Sequence, residues 1–203
     1  MVKIENLLEL IPLISPTDVI LFDMDNTLVN TDDINNVAYK SAIQQVLGKN
    51  YDNLFTDIVR IRREDVSNKL YWISKEQLSE IISIKSIIYK ENIDQASLVI
   101  DVVELLENVS ITNRCILVSN ASADRVNQTL EYYNLKDKFD SMITRTDCDG
   151  NHNKFEVAIN KLQLNPGNIW IVENEQKNIN EALKHSVKHI ILKENENIYY
   201  FPE

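Results

Sequence analysis

The chain has few cysteines, no long apolar run and fewer basic than acidic residues, and each shortage removes a class of function. Its 203 residues include two cysteines, Cys115 and Cys148. That number cannot build a disulfide framework and suits a reducing, cytoplasmic compartment. Neither cysteine has metal-site spacing or a histidine in a recognisable arrangement beside it, which argues against a nucleophilic thiol. The apolar opening Leu7-Leu8-Glu9-Leu10-Ile11-Pro12-Leu13-Ile14 is broken by Glu9 and Pro12. It falls short of the roughly 20 apolar residues that span a bilayer, and reads as a packed helix. The N-terminus lacks a basic start followed by a small-residue cleavage site, so no secretory signal is expected. With 21 Lys and Arg against 31 Asp and Glu, the formal net charge is -10. Phosphate-backbone binding needs clustered Lys and Arg, so a broad nucleic-acid surface is excluded.

What is present is a chain long enough for one well-buried core and a small accessory module, with 44% hydrophobic residues. Its most informative stretch is Val19-Ile20-Leu21-Phe22-Asp23-Met24-Asp25-Asn26-Thr27-Leu28, an apolar run that ends in two aspartates one residue apart. At the C-terminal tip of a parallel-sheet strand such acids face the ligand crevice of an open α/β sheet, and residues two apart project to the same side. The pair suits phosphoryl transfer through an aspartyl-phosphate. Asp23 attacks phosphorus, while Asp25 protonates the leaving oxygen and then activates water. Mg²⁺ is expected as cofactor, since it takes oxygen ligands from carboxylates and phosphate and offsets their mutual repulsion. The plainer reading of the same acids is a polar strand end with a turn at Asp25-Asn26.

Asp23-Met24-Asp25-Asn26-Thr27 after an apolar strand resembles the first motif of the haloacid-dehalogenase-like hydrolase superfamily, in its cap-bearing branch of phosphoglycolate phosphatase and β-phosphoglucomutase type. Three further segments follow in that family's order. Cys115-Ile116-Leu117-Val118-Ser119-Asn120 resembles the second motif, which implies a phosphate contact from Ser119 with Asn120 beside it; Ser-Asn followed by Ala121-Ser122 also reads as a helix N-cap. Lys154 opens an amphipathic segment with Phe155, Ala158, Ile159 and Leu162 on one face and resembles the third-motif lysine that neutralises nucleophile and phosphate. Ile169-Trp170-Ile171-Val172-Glu173-Asn174-Glu175 resembles the fourth motif. Here Asn174 stands where family members usually carry a metal-binding aspartate, and Asn178 where many carry a second. The resemblance implies phosphate binding by Thr27, Ser119, Asn120 and Lys154, and metal binding by Asp23, Asp25, Asn174 and Glu173. An acid at Asp25 fits an oxygen leaving group, so phosphate esters fit better than haloacids.

Strands are expected near residues 18–23, 114–118, 140–144, 169–173 and 188–192, with amphipathic helices between them after Asn120. By resemblance this is an α/β fold, a three-layer Rossmann-like core with a parallel sheet plus an inserted α-helical cap domain. The core is expected over 1–30 and 97–203 and the cap over 31–96, with hinges near Val29-Asn30-Thr31 and Asn92 to Ser97. Within the insertion Ile34, Val37, Ala38, Ala42, Val46 and Leu47 recur at helical spacing, Leu78, Ile81, Ile82, Ile84, Lys85 and Ile88 follow, and Gly48 ends the first helix. Arg60-Ile61-Arg62-Arg63, Tyr71 and Trp72 read either as substrate contacts or as a solvated, salt-bridged face with packed rings. His152, His185 and His189 read as loop and helix-end residues. Thr146-Asp147-Cys148-Asp149-Gly150-Asn151 reads as a connection, since it lacks the twelfth-position glutamate of a calcium loop.

These observations lead to an expected Mg²⁺-dependent phosphatase. Its partner is a small phosphorylated metabolite, with no nucleic acid and no membrane, and the protein is a monomer or homodimer. Two alternatives stay open: a phosphomutase, which uses the same two acids, and a binding or regulatory protein that lost turnover through Asn174.

Overall fold

The computed structural model describes residues 1–148, 153–194 and 197–202. The chain divides into two compact units, one formed by Met1–Val29 with Leu98–Glu203 and the other by Asn30–Ser97.

The first unit is built on strands β1 (Val2–Ile4) and β2 (Val19–Phe22), and the chain leaves it at β3 (Val29–Asn30). In the second unit come helices α1 (Asp32–Leu47), α2 (Arg63–Lys69) and α3 (Lys75–Glu91), and the return is at β4 (Ser97–Leu98). The first unit resumes with α4 (Ile100–Val109), β5 (Arg114–Val118), α5 (Ala123–Tyr132), β6 (Ser141–Ile143), α6 (Lys154–Lys161), β7 (Ile169–Glu173), α7 (Gln176–Leu183), β8 (His189–Glu194) and β9 (Asn197–Phe201). Its sheet runs β1-β9-β8-β7-β2-β5-β6. Strands β6, β5, β2, β7 and β8 are parallel, whereas β9 and β1 extend the β8 edge in antiparallel fashion. Flanking helices give the mostly parallel α/β, Rossmann-like architecture read from the sequence.

Continuous apolar runs fit strands covered on both faces. Accordingly, Leu21, Ile116, Val118, Ile143, Ile169, Ile171 and Ile190 form one core with Phe155, Ala158, Ile179 and Ala182 from α6 and α7. Strand β2 lies at the centre between β7 and β5, with Phe22 opposite Val172 on one side and Leu117 on the other. The tips of three strands therefore converge around Asp23.

All five expected strands are present, but the antiparallel pair β1 and β9 carries no expectation in the sequence. The opening segment is a packed helix as expected, of 3-10 type over Leu7–Leu13, and it buries Leu7 and Leu10. His189 is the first residue of β8, with its ring stacked 4.3 Å from Trp170, and not a loop or helix-end residue. His185 does follow α7. His152 and the 149–151 part of the supposed connection lie outside the described residues. Among the described residues, no helix is long and apolar enough to cross a membrane.

In the second unit α1 packs on α3 around Tyr39, Ala42, Ile43, Phe55, Ile61, Val66, Leu70 and Ile81. Gly48 closes α1 in the left-handed region at φ 68°. Val37 is exposed despite its helical spacing, because the buried stripe runs through Ile34, Ala38, Ala42 and Ile43. Lys85 is buried, with its ammonium over the Tyr39 and Tyr89 rings. Tyr71 and Trp72 are exposed and meet edge to face, and the Trp72 ring lies 6.0 Å from that of Tyr51. Arg60 donates to Thr31 Oγ1 at 2.9 Å and to Asp32, which fixes the start of α1.

Candidate active site

The site begins where β2 stops. Asp23 continues the ladder for one more residue by donating its amide to Val172 O at 3.0 Å. The chain then turns tightly, and the Met24 carbonyl accepts the amides of Thr27, Leu28 and Val29. Asn26 takes the left-handed conformation this turn needs, at φ 58°, which asparagine tolerates better than most residues. Met24 points into the core while Asp23 and Asp25 flank it, as strand alternation requires.

Asp23 is buried, and its two carboxylate oxygens have different partners. Lys154 Nζ donates to Oδ1 at 2.6 Å, and Thr27 Oγ1 donates to Oδ2 at 3.1 Å. Lys154 comes from the first turn of α6, which Asn153 caps by accepting the Phe155 amide. Its ammonium also lies 2.7 Å from Glu173 Oε2. Glu173, at the tip of β7, is wholly buried and fully occupied: Oε1 accepts the amides of Asn174 and Glu175, and Oε2 accepts Asn178 Nδ2 as well as Lys154.

One ammonium thus serves two buried carboxylates, and the cluster keeps a surplus negative charge. Burial first, then the neighbouring charges of Glu173 and Asp25, push the Asp23 carboxyl up to about 7 against the pull of Lys154. For Lys154 burial acts downward, but the Asp23 and Glu173 carboxylates overcome it and hold the ammonium well above its ordinary range.

Asp25 has another partner. Arg125, in the first turn of α5, grips it with both ends of its guanidinium, Nη1 donating to Oδ1 at 2.9 Å and Nη2 to Oδ2. Sequence reading missed Arg125. A signal existed, since a cation in the first turn of a helix opposes the helix dipole and asks for an anion nearby.

The remaining candidates surround this centre unevenly. Ser119 sits at the β5 tip, where its amide donates to Ile143 O and its hydroxyl oxygen accepts the Ala121 amide at 3.1 Å. Asn120 next to it is exposed. The N-cap of α5 is Ser122, which accepts the Arg125 amide. Thr27, the other hydroxyl expected at the phosphate, donates to Asp23 Oδ2. Asn174 satisfies its surroundings when its amide is turned so that Nδ2 donates to Glu173 Oε1 at 3.0 Å, Thr27 Oγ1 at 3.2 Å and the Asp25 carbonyl at 3.2 Å. Burial and the nearby Asp140 charge push the Cys115 thiol up to about 12, which removes it as a nucleophile.

Among the described residues, no group of three or more His, Cys, Asp or Glu is placed to hold a metal ion. The oxygens near this point are the Asp23 carboxylate, reached through Thr27 Oγ1, and the Asp25 carbonyl, 3.2 Å from the Asn174 amide. That donor set suits a hard cation, and the surplus negative charge around Asp23 favours one. Asn174 would join it only by turning its oxygen inward, giving up the three donations just described.

A family model described as haloacid dehalogenase-like hydrolase matches residues 20–192. Among solved structures, a predicted phosphoglycolate phosphatase from Haemophilus somnus is 21% identical with a TM-score of 0.70, covering 85% of this chain and 83% of its own. CbbY from Rhodobacter sphaeroides, solved with phosphate, is 14% identical with a TM-score of 0.73, covering 88% and 87%. A haloacid dehalogenase-like hydrolase from Streptococcus pneumoniae is 19% identical with a TM-score of 0.65, covering 85% and 83%. At these identities the likeness is one of fold. No curated protein matches the chain.

Proposed function

Because the chain belongs to the haloacid dehalogenase-like hydrolase family, we propose that it is a phosphatase acting on a small phosphomonoester through an aspartyl-phosphate. The observation that carries this reading is the Asp23 carboxylate at the tip of the central strand, held by Lys154 at 2.6 Å with Asp25 two residues on. Lys154 and Thr27 fix the two oxygens of Asp23 and so aim the carboxylate. An Asp23 oxygen forms the new bond to phosphorus as the bond to the leaving oxygen breaks, and Asp25 gives that oxygen its proton. Water then attacks phosphorus and passes a proton to Asp25, which releases phosphate and restores the Asp23 carboxylate. Ser119, one residue past the β5 tip, has a hydroxyl hydrogen to donate to a phosphate oxygen, since its oxygen only accepts the Ala121 amide.

A bound Mg²⁺, held by Asp23, the Asp25 carbonyl and Asn174 with waters, would lower the repulsion between carboxylate and phosphate. Glu173 takes a different part from the ligand role its position suggests. Its five donors, the turned Asn174 amide included, leave it to hold Lys154 and the start of α7.

Hydrolysis of p-nitrophenyl phosphate with Mg²⁺ tests the reading, with EDTA and Asp23→Asn as controls that should both abolish release of nitrophenolate. The inward-turned Asn174 amide favours a second reading, a fold that binds phosphate but turns over slowly because its cation is weakly held. Under it the wild type is silent across a panel of phosphorylated metabolites, while Asn174→Asp tightens Mg²⁺ binding by about tenfold or more, read by calorimetric titration, and restores turnover.

A further inference from the structure

We propose that the second unit carries a self-association surface at Tyr71 and Trp72, through which two copies of this chain pair about a two-fold axis. The inference stands apart from the phosphatase reading and does not depend on it.

The second unit buries a core of its own around Phe55, Val66, Leu70 and Ile81. At the turn from α2 to α3, however, the chain sends two large rings outward, with Tyr71 81% exposed and Trp72 51%. Single exposed apolar residues are ordinary, but these rings adjoin. Tyr71 meets Trp72 edge to face at 5.2 Å, and Trp72 lies 6.0 Å from Tyr51, which follows α1. Stiff, amphipathic rings are the side chains that anchor protein contacts. The backbone beneath them is already fixed: the Leu70 amide donates to Val66 O, the Ile73 amide to Leu70 O, and Ser74 caps α3 by accepting the Gln77 amide at 3.2 Å. Little further ordering is then needed on association.

Charge selects the occupant. A net charge of -10 makes two copies repel as whole bodies, but the balance around the rings differs. On the α1 side Lys49, Asp52 and Asp57 carry one surplus negative charge, and on the α2–α3 side Lys69, Lys75 and Glu76 carry one surplus positive charge. None of the six is buried. The two sides adjoin, since Lys69 Nζ lies 3.2 Å from Asp57 and Tyr51 lies against Trp72. A two-fold axis through the rings sets each side against the opposite side of the other copy, so unlike charges meet twice. A strongly charged partner finds no surplus here to hold it, whereas a second copy fits itself.

Sedimentation equilibrium of the full chain across a concentration series tests this, with acrylamide quenching of tryptophan fluorescence followed over the same series. Quenching reports Trp72, because the other tryptophan, Trp170, is wholly buried. The wild type should pass from monomer to dimer with a Kd of about 10–100 μM, the strength of a small transient contact, and quenching should fall as it does. Tyr71→Ser combined with Trp72→Ser should weaken dimerisation by about tenfold or more. Lys69→Glu and Asp57→Lys each reverse one side, so each variant alone should stay monomeric. An equimolar mixture of the two should dimerise again, since every side then meets its opposite. Both variants should fold, because an exposed ion pair contributes little to stability. A wild type that stays monomeric overturns the proposal and leaves the rings to a different protein or a ring-bearing ligand. A dimer that leaves Trp72 as open to acrylamide as the monomer, a dimer unchanged by the two serines, or a mixture that stays monomeric overturns it as well. If the serine variant fails to fold, the mixing experiment decides.

Discussion

At Lys154 one buried ammonium faces the buried carboxylates of Asp23 and Glu173 at 2.6 and 2.7 Å. Removing it leaves two buried charges uncompensated, so Lys154→Met should cost about 3–5 kcal/mol in chemical denaturation. Glu173→Gln added to it should recover part of that loss, since the two sites share one network. Asp23 sets a pH dependence of its own. In the cation-free chain its carboxyl lies near 7, above the ordinary 3.8, so between those values the folded state binds more protons than the unfolded one. The Asp23 contribution to stability in EDTA should therefore be full below about pH 4 and fall as pH rises through 7, measured by urea unfolding of wild type against Asp23→Asn. Asp23→Asn should flatten that slope, and an unchanged slope would show another group to be responsible. Asp23 and Asp25 were legible because an apolar run led into them. Arg125 carried only the hint of its place in the first turn of α5, because its partner lies 100 positions away.

Elements were legible where local chemistry decides them. The end of α1 was readable from Gly48, whose φ of 68° costs glycine little. A Cβ there would meet nothing within 4 Å. Gly48→Ala should thus destabilise by about 1–2 kcal/mol through the backbone alone, with Gly48→Asn milder, both read from thermal unfolding of the full chain. Strands β2, β5 and β7 announced themselves as apolar runs because both faces of a parallel sheet are covered. Strand β1 gave no such signal. It is three residues long and mostly exposed, and it exists because Val2 and Ile4 pair with Tyr200 and Ile198 at the other end of the chain. The helix at Leu7–Leu13 was legible as such but its 3-10 pitch was not, and there Pro12 removes an amide that an α-helix would use.

For the whole molecule, the central position of β2 makes its core side chains the most exacting. Leu21 is fully buried between two parallel neighbours, and Leu21→Ala should cost about 2–5 kcal/mol in urea unfolding. A loss much smaller than this would mean that the sheet collapses around the gap. The order of the motifs, the strands of the parallel core and the run of helices between β3 and β4 followed from the sequence alone, because each depends on side-chain period and on turn residues adjacent in the chain. Tertiary structure alone decided the other donors each acid receives: Thr27 for Asp23 beside the expected Lys154, Arg125 for Asp25, and five donors for Glu173. The physical reason is that hydrogen bonds and burial between residues distant in sequence depend on distances of a few ångströms, which no local pattern of residue types contains.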